Sequence, residues 1–290
     1  MADALHAACE QVRANGATHI LATIITDAVD TMRARLRRIV GLREADALVR
    51  EVIVGVHVEG PFLNETPGYI GAHPAEHARA AEVETMKRLL EAGGGLVKLV
   101  TLAPERDPGF ATTRFLAGEG LVVSAGHCDP TLEQLRAAID AGLTMFTHLG
   151  NGCPMQLHRH DNIIQRALGL SEKLWLCFIA DGAHVPLFAL ANYFKVAGLD
   201  RCIAVTDAIS AAGLGPGRYT LGGWELDIGD DLIAWGPNRA HLVGSTATMN
   251  RVRQNLAIMG LSAADVDLLT ISNPRRALQL EDTAPLIPVT

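Results

Sequence analysis

Two kinds of segment alternate along the chain. The first kind are short apolar runs: THILATIIT (18–26), VIVGVHVEGPF (52–62), GLVKLVTLAPE (95–105), LVVSAGH (121–127), LTMFTH (143–148), LWLCFIADGAHV (174–185) and RCIAVTDAIS (201–210). They show little polar alternation, as strands buried on both faces of a parallel sheet do. Between them lie amphipathic stretches that predict helices over 2–15, 27–42, about 75–92, 131–142, about 162–170 and 186–198. Further helices are predicted at about 246–258, at 262–270 and from NPRRALQL (273–280). Strand and helix in strict alternation with short connections mean a parallel sheet wrapped by helices. Residues 213–243 break the rhythm. Turn signals at GPG, LGG, IGDD and GPN separate short β-type runs there and predict a small antiparallel excursion.

At 290 residues the chain suits a (β/α)8 barrel better than a doubly wound sheet. Neither a GxGxxG fingerprint nor a GxxxxGK[ST] loop occurs, which weakens a nucleotide-binding α/β fold. Seven strands are counted, and the chain opens on a helix where a barrel opens on a strand. The expected fold is therefore α/β, a TIM-like (β/α)8 barrel lacking its first strand, with residues 1–290 forming one domain.

Composition narrows the function. A hydrophobic fraction of 49% is ample for a large core, and the net charge of −7 comes without any Lys/Arg block. Neither nucleic acid nor an anionic membrane surface is expected as a partner. The N-terminal MADALHAACEQVRANG has no long apolar stretch of the signal-peptide kind. Five cysteines, an odd number with no CxxC spacing, indicate neither a disulfide framework nor a zinc knuckle, and a reducing, cytoplasmic compartment is expected. Cys177 and Cys202 read as small buried hydrophobes, and Cys128 and Cys153 as loop residues without a ligand or nucleophile role.

The chemistry stands at the carboxyl ends of the strands. The stretch 121–151 reads as strand, loop, helix, strand, and each strand ends in a histidine, His127 and His148. A right-handed crossover places both at one edge of the sheet, the edge where parallel α/β folds carry their ligand sites. Strand 52–62 offers His57 and Glu59, strand 174–185 offers Asp181 and His184, and strand 201–210 offers Asp207. One Glu with two His is a common catalytic zinc set. Glu59, His127 and His148 are the candidate ligands. An ionised carboxylate at the end of a buried strand needs a partner, and a cation is one. Asp207, on another strand, can serve as general base for water at the metal. His57 reads as a structural histidine, and Asp181 either joins the site or turns its loop.

At these residues the sequence resembles the N-acetylglucosamine-6-phosphate deacetylases of the amidohydrolase superfamily. The resemblance rests on HVEGPFLN (57–64), GAHP (71–74), VTLAPE (100–105), SAGHCD (124–129), THLGN (147–151), DGAHV (181–185), VTDA (205–208) and GSTATM (244–249), in order from about residue 10 to about 280. It implies that Glu59, His127 and His148 hold a single divalent metal, zinc foremost with iron or another ion as alternatives. Asp207 would be the base that later protonates the leaving amine. His73 and His184 would contact the substrate, Asn151 and Gly152 would hold the sugar-phosphate end, and Arg159 would reach the phosphate across a homodimer interface. The implied reaction is removal of the acetyl group from an N-acetylated amino sugar, N-acetylglucosamine 6-phosphate above all. Another N-acyl amine or a cyclic amide is the alternative substrate, and an inactive barrel serving as a binding subunit is the non-enzymatic reading. Family members begin with strands of a small β-sandwich and a first barrel strand bearing an HxxG or HxH motif, and neither precedes Met1. Without that strand's ligands, a mononuclear site is expected.

Overall fold

A computed structural model describes residues 2–221, 223–239 and 241–280. The chain runs α1 (Ala2–Ala14), β1 (Ile20–Ile25), α2 (Val29–Ala45), α3 (Ala47–Val52), β2 (Ile53–Glu59), α4 (Val83–Gly93), β3 (Val97–Leu102) and α5 (Ala111–Gly118). It continues through β4 (Val122–Ala125), α6 (Leu132–Asp140), β5 (Leu143–Phe146), α7 (Ile163–Leu168), β6 (Trp175–Ile179), α8 (Leu187–Ala197) and β7 (Cys202–Val205). The seven strands form one parallel sheet in sequence order, β1-β2-β3-β4-β5-β6-β7. This is the α/β, TIM-like arrangement. Residues 217–235 make the separate antiparallel sheet β8 (Gly217–Leu221), β9 (Trp224–Ile228) and β10 (Ala234–Trp235). Then follow α9 (Met249–Ile258), α10 (Ala263–Asp267), a π-helical turn at Leu268–Ser272 and α11 (Asn273–Ala277).

Side chains of alternate parity sort the molecule into layers. Outward-facing Val56, Val58, Val100 and Leu102 pack under Met32 and Leu36 of α2 and Met86 and Leu89 of α4, all fully buried. Inside the sheet, Leu99, Val122, Met145, Cys177 and Ile203, one from each of β3 to β7, form a separate apolar floor with Leu21 of β1. Above that floor lies a polar layer joined by hydrogen bonds: Thr23 Oγ1 to His57 Nδ1 at 3.2 Å, His57 Nε2 to Thr101 Oγ1 at 2.7 Å, Thr101 to Thr147 at 2.7 Å and Thr147 to Ser124 at 2.7 Å. Every polar atom that the sheet buries there finds a neighbour on the next strand, as low-dielectric surroundings demand. His57 has both ring nitrogens engaged in this layer, and burial pushes its imidazole below its ordinary pKa.

The regular elements are shorter than the apolar runs that announce them. β2 stops at Glu59 because Gly60 adopts φ +86°, where a Cβ would stand 2.0 Å from Thr26 Oγ1. The stretch predicted as a helix over about 75–92 divides into a 3-10 turn at Ala75–His77 and α4, and the helix predicted over 262–270 divides into α10 and the π-helical turn. Among the described residues β1 and β7 do not pair with each other. A cavity of about 2050 Å³ is lined by residues of both edge strands, Leu21 and Thr23 of β1 and Ile203 and Val205 of β7. No described helix is long and apolar enough to cross a membrane.

Candidate metal centre

The polar layer ends upward in three side chains that face one another. Glu59 closes β2, His127 follows β4 and His148 follows β5, and they are 4, 5 and 3% exposed. His148 Nε2 lies 3.0 Å and His127 Nε2 3.3 Å from Glu59 Oε1. The two imidazoles meet edge to face with centroids 4.8 Å apart. Glu59 reaches the centre by simple alternation, since 55, 57 and 59 share the inward parity of β2. Asp207 does the same on β7 after 203 and 205. The two histidines do not share their strands' inward parity. Each sits at a positive φ, +51° for His127 and +33° for His148, and Asp207 is at +50°. Three non-glycine residues in this sparsely populated region, all at strand ends of one sheet edge, are strain held in place by the surrounding packing.

The outer nitrogens set the tautomers of His127 and His73. His127 Nδ1 donates to the Tyr69 carbonyl at 2.7 Å, which leaves its Nε2 with a lone pair directed at Glu59. His148 Nδ1 is buried without a partner among the described residues. His73 is the third buried histidine, its Nε2 3.9 Å from Glu59 Oε2 and its ring 4.4 Å from that of His127. Its Nδ1 accepts from the Thr26 backbone N–H at 3.4 Å, so its Nε2 carries the proton and is a donor. Glu59, His73 and His127 also cluster within metal-binding distance of one another. The tautomer of His73 nevertheless favours Glu59, His127 and His148, whose two Nε2 atoms face one carboxylate oxygen, as the ligand set. An anionic oxygen and two imidazole nitrogens, gathered from three strands, suit a borderline divalent ion.

Electrostatics give the same picture. Burial would push the Glu59 carboxyl up, but the His127, His148 and His73 rings around it hold it well below the ordinary carboxylate range. Burial lowers His148, and Glu59 and Asp207 together outweigh it and raise the group. For His73, burial, with His127 beside it, outweighs the opposing charge of Glu59 and drives it down to about 3. The carboxylate is charged and the His73 ring neutral.

The remaining expected residues are placed as follows. Asp207 and Asn151 line the large cavity, as do His73 and His184. Gly152 takes φ +61°, where a Cβ would lie 3.0 Å from His127 Nδ1, and Gly71 also takes φ +61°, where a Cβ would lie 3.0 Å from His127 Cε1. At both positions a side chain would crowd the imidazole. Arg159 is exposed in the loop after β5 and does not line the cavity. Asp181 both turns its loop and joins the site. Its Oδ1 accepts from the N–H groups of Ala183 and His184 at 2.8 and 2.9 Å, and its Oδ2 accepts from His184 Nδ1 at 2.7 Å and from Ser245 Oγ at 3.2 Å. His184 therefore presents Nε2 to the cavity. Backbone groups complete the site, the Tyr69 carbonyl and the Thr26 N–H, and a backbone group has no signature in a sequence.

No family model matches the chain. Among curated proteins it is 33% identical over 273 residues to the N-acetylglucosamine-6-phosphate deacetylase of Bacillus subtilis (strain 168), covering 92% of this chain and 67% of that one. It is 32% identical over 263 residues to the N-acetylgalactosamine-6-phosphate deacetylase of Escherichia coli O157:H7, covering 90% and 68%. Among solved structures it superimposes with a TM-score of 0.83 and 32% identity on a variant N-acetyl-D-glucosamine-6-phosphate deacetylase of Mycobacterium smegmatis in complex with N-acetyl-D-glucosamine-6-phosphate, covering 95% of this chain and 74% of the other. The chain spans about two thirds of the length of these curated relatives.

Proposed function

We propose that this chain, which belongs to the N-acetylglucosamine-6-phosphate deacetylase family of amidohydrolases, removes the acetyl group from an N-acetylated amino sugar, N-acetylglucosamine 6-phosphate foremost. One observation carries the reading: the Nε2 atoms of His148 and His127 stand 3.0 and 3.3 Å from one oxygen of Glu59 at one sheet edge, with Asp207 at a fourth strand end. Glu59, His127 and His148 hold one divalent ion, zinc foremost. When bound, that ion supplies Lewis acidity, acidifying a water and polarising the acetyl carbonyl.

The protein's own groups do the rest. Asp207 takes the proton from the attacking water and returns it to the amine nitrogen as the C–N bond breaks, so one carboxyl serves as base and then acid. His73, with its proton on Nε2, donates to the carbonyl oxygen as negative charge gathers there. His184, oriented by Asp181, contacts the substrate through Nε2. Asn151 and Gly152 border the sugar-phosphate end, and Arg159 pairs with the phosphate of a neighbouring subunit's substrate in a homodimer. Its exposure and its place outside this chain's own cavity support that arrangement. Five free cysteines, four of them buried, support a cytoplasmic protein.

The test is acetate release from N-acetylglucosamine 6-phosphate, its galactose-configured epimer and unphosphorylated N-acetylglucosamine. Hydrolysis of the phosphorylated sugars well above the free sugar is expected. A rate indifferent to phosphate would transfer the reading to another N-acyl amine.

A further inference from the structure

We propose that Asn64 and Glu105 are a positioning pair that clasps the loop after β2 to the loop after β4, and thereby sets the orientation and tautomer of His127. The inference rests on His127 being a ligand in the site described above. Glu105 follows β3, in the 3-10 turn Pro104–Arg106. Its Oε1 accepts two hydrogen bonds, from Asn64 Nδ2 at 2.9 Å and from the Asp129 backbone N–H at 2.6 Å. One oxygen thus ties together the segment two residues beyond His127 and the segment five residues beyond Glu59.

From Asn64 the bonds run on to both ends of His127. The Asn64 N–H donates to the His127 carbonyl at 3.0 Å. Asn64 Oδ1 accepts from the Thr66 N–H at 3.0 Å, the Thr66 carbonyl accepts from the Tyr69 N–H at 3.0 Å, and the Tyr69 carbonyl accepts from His127 Nδ1 at 2.7 Å. The bond that fixes which ring nitrogen carries the proton is therefore anchored, step by step, on the Glu105 carboxyl. His127 needs such an anchor, because it stands at φ +51° on a strand whose inward parity it does not share.

Glu105 Oε2 is buried without a partner among the described residues. Burial also pushes its carboxyl above the ordinary value. The arrangement uses one oxygen as an acceptor and draws no benefit from the charge. A glutamine should therefore replace Glu105 in this role, because it retains the acceptor oxygen.

The test compares Glu105→Ala, Glu105→Gln and Asn64→Ala with the wild type in two measurements. The first is the ring-nitrogen NMR of His127 in chelator-treated, metal-free protein. The second is Zn2+ affinity by competition with a chelator. Wild type and Glu105→Gln should show the Nδ1-protonated ring and similar affinities. Glu105→Ala should mix the two tautomers and bind zinc roughly 10- to 100-fold more weakly, the range seen when partners of metal ligands are removed. Asn64→Ala, at a half-buried site, should move both readouts in the same direction. Folded Glu105→Ala and Asn64→Ala proteins with an unchanged tautomer and unchanged affinity would overturn the proposal. Should Glu105→Ala fail to fold, Asn64→Ala decides it. A wild type that binds no zinc would overturn the metal reading, and the tautomer in metal-free protein would still decide the positioning pair.

Discussion

At the residue scale the site depends on which atom carries a proton. Asp207 lies at the rim of the cavity on the inward parity of its strand, and it alone is assigned both to take and to return the proton. Asp207→Asn should lower kcat by about 10²- to 10⁴-fold, the usual contribution of a positioned acid-base group, while metal content stays at wild-type level. Near-normal turnover in the metal-loaded variant would remove Asp207 from the mechanism. Asp181 acts through His184 instead. Burial would raise its carboxyl, but the hydrogen bond and charge of His184 and two backbone N–H groups hold it below the ordinary value. A carboxyl more acidic in the folded than in the unfolded state adds stability above its ordinary range and loses it as pH falls through the lowered value. The wild type should therefore lose Tm as pH falls from about 5 towards 3, and Asp181→Asn should lose less over the same interval. Parallel Tm profiles for the two proteins would show that Asp181 contributes nothing to acid sensitivity.

At the element scale the unit from β4 through α6 to β5 carries both histidines proposed as ligands, so the placement of α6 governs their spacing. The helix begins in a capping box, with Thr131 Oγ1 accepting from the Gln134 N–H at 3.2 Å and Gln134 Oε1 accepting from the Thr131 N–H at 2.8 Å. It packs through Leu135 and Ala138, both fully buried. Thr131→Ala should cost about 1 kcal/mol of stability, the usual value of such a cap, read as a lower urea midpoint at unchanged slope. An unchanged midpoint would mean that packing alone holds the helix start. This unit was legible in the sequence, since LVVSAGH, TLEQLRAAIDAG and LTMFTH announce strand, helix and strand by period. Their limits were less legible. β2 runs from Ile53 to Glu59 instead of 52–62 because a left-handed glycine and the close approach of Thr26 end it, and neither is encoded in local hydrophobicity.

At the scale of the whole molecule, the proposed ion joins β2, β4 and β5, so binding it should stabilise the fold. At free metal 100-fold above Kd the gain is about 2.7 kcal/mol. Stripping metal with a chelator should lower Tm measurably, and adding Zn2+ back should restore it. A Tm insensitive to chelator in a protein shown to contain metal would place that metal elsewhere. The same scale explains the cavity. The described sheet has seven strands and leaves β1 and β7 unpaired with each other, and residues of both strands line the cavity. Strand order followed from the alternation of elements and the short connections, which leave few other topologies.

The sequence by itself determined the parallel α/β architecture, the order of its strands and the strand ends that bear Glu59, His127, His148 and Asp207, because periodicity and position along an apolar run are local properties. Only the tertiary structure decided which ring nitrogen of His127 and of His73 is turned to Glu59. It also brought Gly71 and Gly152 close to the His127 imidazole and joined Asn64 and Glu105 by a hydrogen bond. Those outcomes depend on backbone carbonyls, backbone N–H groups and left-handed turns contributed by segments distant in the chain. Such groups are the same in every residue, and they acquire a role only when folding brings them into contact.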